Sequence, residues 1–357
     1  MKVVGIGDLF IPKQYIEDGF KIFNSKNVKI ETLDWKLRDF DELQEINLLV
    51  EKGGCEAYDV PDYLLEATAD ADIIITQFCP ITRKIIDNCK NLKVIGVLRA
   101  GYENINLDAA NEKNIIFFNT PGRNAEAVAD FTVGMIICEA RNIARGHFGL
   151  KNGEWIRTYP NSSYIPDLTE KTVGLVGLGE IGHRVVKKLG GFDMKIIAYD
   201  PYIKDAGADI ELVELDYLMM NADFVSVHAR LTAENEKMIN KELLQLMKPT
   251  AYFINTGRAG LVDEEALFEI LKNGKIAGAA LDVFMKEPPG KDYPLVTLPN
   301  ITLTPHMAGG STDAFLNSPK KLAAAIIKLW DKEGSGQIIN KEVFQKIAAG
   351  INYPFIS

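Results

Sequence analysis

Apolar and polar positions along the 357-residue chain alternate between short β-branched runs and stretches with helical spacing. Runs of the first kind lie at VVGIG near Val3, at Ile73 to Thr76, Val94 to Val97, Ile115 to Phe118, Val173 to Val176 and Ile196 to Tyr199. Others follow at Phe224 to Val227, Tyr252 to Ile254, Ile276 to Leu281 and Ile301 to Leu303. A strand that is apolar throughout is covered on both faces, as in parallel sheets whose strands are joined by crossover helices. The pattern predicts an α/β fold, and about ten strands are more than one doubly wound sheet commonly holds, so two sheets are expected.

The best internal break is FFNTPGRN, where a strand ends at Asn119 and Pro121 and Gly122 punctuate the chain. A helical pattern starts near Ala125, and AVADFTVGMIICEARNIARGHF reads as one long apolar helix. A second break follows TPHMAGG, before the helical KKLAAAIIKLW. Beyond Gly334 and Gly336 the segment NKEVFQKIAAG has a helical pattern of its own.

Composition narrows the function. The chain is 47% apolar and 25% charged, which is ordinary for a globular protein. Its 40 basic and 49 acidic residues give a net charge of −9, against a nucleic-acid partner. The run FTVGMIIC stops at Glu139, far short of the roughly 20 residues that a bilayer requires, so no membrane partner is expected. MKVVGIGDLF is interrupted by Asp8 and reads as a first strand, not a secretory signal. Cys55, Cys79, Cys89 and Cys138 lack CxxC spacing, so no metal site and no disulfide framework are expected, and the cytoplasm is the expected compartment.

The stretch TVGLVGLGEIGHRVVKKLG combines a strand, Gly177, Gly179 and Gly182 in GxGxxG spacing, and an amphipathic helix. A second strand, KIIAYD, ends in Asp200, 18 residues after Gly182. Gly177 permits the tight turn, Gly179 lets a pyrophosphate approach the backbone, and Gly182 lets helix and strand pack closely. The helix N-terminus offers free N–H donors to the diphosphate. Asp200 would accept hydrogen bonds from the adenosine ribose and repel a 2′-phosphate, which predicts a Rossmann-type unit that takes NAD(H) over NADP(H).

Three later segments each set a polar residue just past an expected strand: Arg258 in FINTGRAGLVDE, Glu287 in LDVFMKEPP and His306 in ITLTPHMAGG. Ligands of open α/β sheets bind at such strand ends. A guanidinium, a carboxylate and an imidazole are the set needed to reduce a 2-keto acid. Arg258 can hold the substrate carboxylate in a two-pronged contact and polarise the carbonyl. His306 can deliver a proton, with Glu287 on the other imidazole nitrogen fixing the tautomer.

At these residues the chain resembles the D-isomer-specific 2-hydroxyacid dehydrogenases, which include phosphoglycerate dehydrogenase. The resemblance runs from about residue 73 to 312 through RAGYENINLDAA, NTPGRNAEAVADF, GLGEIG, AYDP, VHARLTAENEKMI, NTGRAGLVDEEAL, AALDVFMKEP and TPHMAG. It implies a nucleotide-binding domain at 122–311, inserted in a smaller flavodoxin-like substrate domain formed by 1–121 and 312–357. It places the catalytic Arg, Glu and His on Arg258, Glu287 and His306, and the backbone cradle for the substrate carboxylate on Ala100 and Gly101. Cofactor contacts fall on Glu180 and Ile181 at the pyrophosphate, Asp200 at the ribose, and Ala229, Thr256, Gly257, Asp282 and Ala308. It also implies a homodimer paired through the long apolar helix, and a small 2-hydroxy or 2-keto acid as substrate.

The chain departs from that family's commoner pattern at Arg230 for proline, Asp130 for glutamate, and Gly257 with Ala259 for Ala and Gly. Other candidates read more plainly. His147 and His183 are expected at the surface, His228 as a hydrogen-bonded structural residue rather than one lining the cofactor cleft, and Met219 and Met220 as core. Arg83 and Arg123 sit near expected cleft loops and could bind a substrate phosphate, but are expected to be solvated, and Cys79 is expected to be a small buried side chain. The alternative function is an NAD(H)-sensing interaction protein of the corepressor type on the same fold.

Overall fold

The computed structural model describes residues 1–331 and 337–349; Gly334 and Gly336 lie outside the described residues, as does the end of the last helical segment from Gly350 on. The chain divides into two compact units, Met1–Arg123 with the chain from Thr312 on, and Asn124–Ser311. Each is built on a parallel sheet.

The first sheet contains β1 (Lys2–Gly7), β2 (Lys29–Asp34), β3 (Ile73–Thr76), β4 (Val94–Val97) and β5 (Ile116–Phe118) in the order β2-β1-β3-β4-β5. Alternate residues serve opposite faces. Val4, Ile6, Ile74, Ile95, Val97 and Phe117 enter one core, whereas Val3, Ile73, Ile75, Val94, Ile116 and Phe118 enter the other. The helix Thr312–Trp330 covers the second face with Leu322, Ala325, Ile326 and Leu329. This is why the chain returns to the first unit after completing the second.

The second sheet contains β6 (Thr172–Val176), β7 (Lys195–Tyr199), β8 (Glu211–Leu212), β9 (Phe224–Val227), β10 (Tyr252–Asn255), β11 (Gly278–Leu281) and β12 (Ile301–Leu303). Their order is β12-β11-β10-β9-β6-β7-β8, the doubly wound arrangement with its reversal between β6 and β9. All pairs are parallel, with Val176 opposite Val227 and Asn255 opposite both Val227 and Leu281. The strand ends therefore align, and the loops after them emerge on one edge.

The structure differs from the sequence pattern in four places. Strands β2 and β8 carried no clear signal, because β2 is a half-exposed edge strand, KIETLD, and β8 is two residues at an edge of the second sheet. The run at Ile276 becomes a strand only from Gly278. Met220 is exposed, and only Met219 is core. The long apolar helix is two helices, Ala125–Ala140 and Ile143–Lys151, split at Asn142, whose φ of 57° is left-handed. Asn142 is buried there: its amide donates to Asn161 Oδ1 at 2.7 Å and accepts from Arg145 at 3.0 Å. Arg145 in turn forks onto the buried Glu139 at 2.7 and 3.0 Å. A satisfied polar network thus replaces helix continuation. Among the described residues no helix is long and apolar enough to cross a membrane.

Candidate active site

The loop after β6 turns at Gly177, whose φ is 97°. A Cβ there would lie 2.6 Å from the Ala229 nitrogen, so only glycine fits between β6 and the end of β9. A Cβ on Gly182 would meet the Gly177 carbonyl at 2.6 Å, whereas one on Gly179 would have nothing within 4 Å. The helix Glu180–Leu189 starts there, with Ile181 half-buried in its first turn. Glu180 is drawn along the helix by Arg184, 2.6 Å away, leaving the first N–H groups to the helix end. The open Gly179 backbone beside those donors fits a diphosphate.

Asp200, just past β7, accepts from Leu178 N at 2.9 Å and from Tyr202 N at 3.0 Å. One bond on each carboxylate oxygen fixes its direction and leaves lone pairs for a ribose. His228 follows β9. Its Nε2 pairs with Ser226 Oγ at 2.9 Å, and its Nδ1 is buried without a partner among the described residues. Burial pulls its pKa down to about 4, so the ring is neutral near pH 7. Arg230 is exposed, and its carbonyl accepts from Asn235 at 2.8 Å within the loop.

After β10, Asn255 clamps the next turn: its Oδ1 accepts from Gly257 N at 2.9 Å and its Nδ2 donates to the Arg258 carbonyl at 3.0 Å. Thr256 is buried, its hydroxyl 2.7 Å from that of Thr132. A Cβ on Gly257 would lie 3.0 Å from the Val227 carbonyl, so an alanine here would need that carbonyl to give by a few tenths of an ångström. Arg258 is exposed, donating once to the Gly257 carbonyl at 2.8 Å and keeping its other N–H groups for a ligand.

Asp282, at the end of β11, is fully buried. It accepts from Thr304 Oγ1 at 2.6 Å, Met307 N at 3.0 Å and Ala308 N at 2.8 Å. These three bonds lash down the loop after β12 on both sides of His306, whose φ of 49° is left-handed. His306 Nδ1 lies 2.7 Å from Glu287 Oε2, and Glu287 Oε1 accepts from Phe284 N at 3.0 Å. The pair stays open to ligands, with 49% and 36% of the two side chains exposed.

In the first unit Ala100 is exposed, and its carbonyl accepts from Asn119 Nδ2 at 2.7 Å. His147 and His183 are exposed, as expected, and Cys79 is fully buried. Arg83 is at the surface, forked onto Glu112 at 2.7 and 2.9 Å. Arg123 corrects the expectation of a solvated side chain: burial lowers its pKa to about 10, and its guanidinium lies 5.2 Å from the Phe315 ring. The clamp residues Asn255, Thr304 and Asn119 were missed, although each is a polar residue at or just past the end of an apolar strand.

A parallel sheet with this glycine turn, acidic strand end and histidine–carboxylate pair defines a dinucleotide-binding oxidoreductase unit. Residues 133–308 match the family model "D-isomer specific 2-hydroxyacid dehydrogenase, NAD binding domain". A D-3-phosphoglycerate dehydrogenase of Methanocaldococcus jannaschii is 40% identical over 309 residues, 84% of this chain and 58% of that protein. A glyoxylate reductase of Thermofilum pendens is 38% identical over 292 residues, 79% of this chain and 85% of that protein. The chain belongs to the D-isomer-specific 2-hydroxyacid dehydrogenase family, with NAD as its cofactor. It thus spans little more than half of the first relative and most of the second. The NAD-complexed D-isomer specific 2-hydroxyacid dehydrogenase of Lactobacillus delbrueckii ssp. bulgaricus shares the fold, with a TM-score of 0.76 at 24% identity over 95% of this chain and 100% of that one.

Proposed function

We propose that the chain is an NAD-dependent dehydrogenase interconverting a D-2-hydroxy acid and its 2-keto acid. The observation that carries this reading is the 2.7 Å His306–Glu287 pair, exposed at the strand-end edge that also bears Arg258 and the glycine turn. Bound NAD(H) supplies or accepts the hydride at C2. Glu287 occupies Nδ1 of His306, which leaves Nε2 to donate a proton to the carbonyl oxygen in reduction and to take the hydroxyl proton in oxidation. Arg258 binds the carboxylate and polarises the C2 oxygen. Asp282 acts as a positioning residue, because its three bonds fix the backbone that presents His306.

In this reading the unit Asn124–Ser311 holds the cofactor: the backbone at Gly177, Gly179, Glu180, Ile181 and Gly182 takes the pyrophosphate, and Asp200 the adenosine ribose. Ala229, Thr256, Gly257, Asp282 and Ala308 shape the remaining cofactor contacts, the last two through their mutual bond. The other unit binds the substrate, with the backbone of Ala100 and Gly101 cradling its carboxylate. The four free cysteines fit a reducing compartment, and we place the enzyme in the cytoplasm.

The test is oxidation of NADH across a panel of 2-keto acids. Turnover should be seen, and His306→Ala should lower kcat by about 10²- to 10⁴-fold. Lack of turnover with every acid, or full activity in His306→Ala, overturns the reading.

A further inference from the structure

The first sheet has a reversal of its own, between β1 and β3, where ligands of open α/β sheets bind beyond the strand ends. Asp8 and Gln77 follow those two strands directly, and Arg99 follows β4, the next strand along. Polar atoms without a protein partner gather here. Asp8 Oδ2, both amide atoms of Gln77, Arg99 Nε and Arg123 Nη1 are buried and lack a hydrogen bond among the described residues. Asp8 and Gln77 are 5% and 1% exposed. Folded proteins rarely leave buried polar atoms unpaired, so several at one strand-end reversal point to a ligand.

The two guanidiniums are held by rings. Arg99 lies 4.8 Å from the Phe78 centroid and Arg123 lies 5.2 Å from that of Phe315, while Phe10 packs against both rings. Contact with a ring face attracts the cation without using its N–H groups. Arg99 and Arg123 both feel the charge of Asp8, which ties these three side chains into one cluster, and Gln77 precedes Phe78, the ring against which Arg99 lies.

The unpaired atoms indicate the chemistry of the occupant. Charge is already balanced, since Arg99 pairs with Glu103 at 3.1 Å and Arg123 is set against Asp8. Three donors are unpaired, and so are two acceptors, Asp8 Oδ2 and Gln77 Oε1. A phosphate or carboxylate would set lone pairs against Asp8, and an alkyl chain would satisfy none of the five. A hydroxyl both donates and accepts. Arg99 also adjoins Ala100 and Gly101, the proposed carboxylate cradle.

We infer that Asp8, Gln77, Arg99 and Arg123 bind hydroxyl groups on the substrate's carbon chain beyond C2, so that the enzyme acts on polyhydroxylated, sugar-acid-like 2-hydroxy and 2-keto acids. The inference rests on the proposed dehydrogenase reading. It deepens that reading by naming the substrate class.

The experiment compares kcat/KM with NADH for 2-keto-4-hydroxybutyrate and 2-ketogluconate against 2-ketobutyrate and 2-ketohexanoate, with oxaloacetate and phosphohydroxypyruvate as anion-terminated acids. Hydroxylated acids should exceed alkyl acids of equal length by about 10²-fold or more, and Gln77→Leu should shrink that ratio at least about tenfold. Arg123→Met repeats the test should Gln77→Leu fail to fold. Equal use of alkyl acids, preference for an anion-terminated acid, or a ratio unmoved by substitution overturns the inference while turnover upholds the dehydrogenase reading. A second readout needs no turnover: gluconate should raise Tm where 2-hydroxyhexanoate does not, and the substitution should remove the rise. That shift without turnover of any acid would retain the pocket and reject the dehydrogenase reading, and no differential shift in an inactive protein would reject both.

Discussion

Asp200 and His228 follow β7 and β9, the strands on either side of β6, yet their surroundings give them opposite roles. Asp200 is half-exposed and keeps lone pairs free, so its carboxylate should repel the additional phosphate of NADP(H). Steady-state kinetics should favour NAD(H), and Asp200→Ala should narrow that preference; equal efficiency with both cofactors in the unaltered chain would sink the assignment. His228 has its ring packed away from solvent, and burial lowers its pKa from 6.5 to about 4. A histidine with a depressed folded value takes up a proton on unfolding, so its contribution is fully present above pH 6.5 and is lost as pH falls toward 4. Urea midpoints should therefore decline over that window, and His228→Gln should flatten this part of the decline. Matching acid limbs in the two proteins would show that the burial of His228 does not govern it.

Close packing between elements leaves the first unit intolerant of added volume at one helix crossing. The helices Lys13–Phe20 and Thr312–Trp330 approach at Gly19, where a Cβ would lie 2.4 Å from Pro319 Cβ and 2.9 Å from the Lys320 nitrogen. The obstruction is partly backbone and cannot rotate away. Gly19→Ala should cost about 1–3 kcal/mol, the usual penalty for overpacking, despite alanine's better helix propensity. An unchanged denaturation midpoint would mean that the helices separate freely. The break at Asn142 follows another rule of element packing. Apolar spacing continues through it, but the buried Glu139–Arg145 pair and Thr302, which donates to Glu139 at 2.5 Å, fix where the first helix stops.

At the scale of the whole molecule, the segment after that break carries large apolar side chains in water. Phe148, Leu150 and Trp155 are 69%, 59% and 80% exposed, with Ile143, Ile156 and Ile165 nearby in sequence and also exposed. We propose that a second copy of this chain covers them, since a two-fold pair buries the same face on both subunits. Light scattering should give a dimer at micromolar concentration, and Trp155→Lys should shift it toward monomer. A monomer in the unaltered protein refutes the pairing.

The alternation of β-branched runs and helical spacing was enough to determine the parallel α/β class, because strands covered on both faces must be apolar throughout. Edge strand KIETLD escaped that logic, since one uncovered side admits charge. Spacing likewise singled out Gly177, Gly179, Gly182 and Asp200, whose function depends on neighbours in sequence. Arg258, Glu287 and His306 were recognisable as polar residues at strand ends, but only the fold set Glu287 2.7 Å from His306 across 19 positions and gave Asp282 its three bonds to the loop after β12. Arg123 shows the converse. An arginine after a Pro-Gly turn looks solvated along the chain, and it is the helix Thr312–Trp330, through Phe315, that provides its ring neighbour after nearly two hundred residues spent in the other unit. Local order follows from contacts a few residues apart, whereas burial and charge pairing are set by which strands and helices become neighbours.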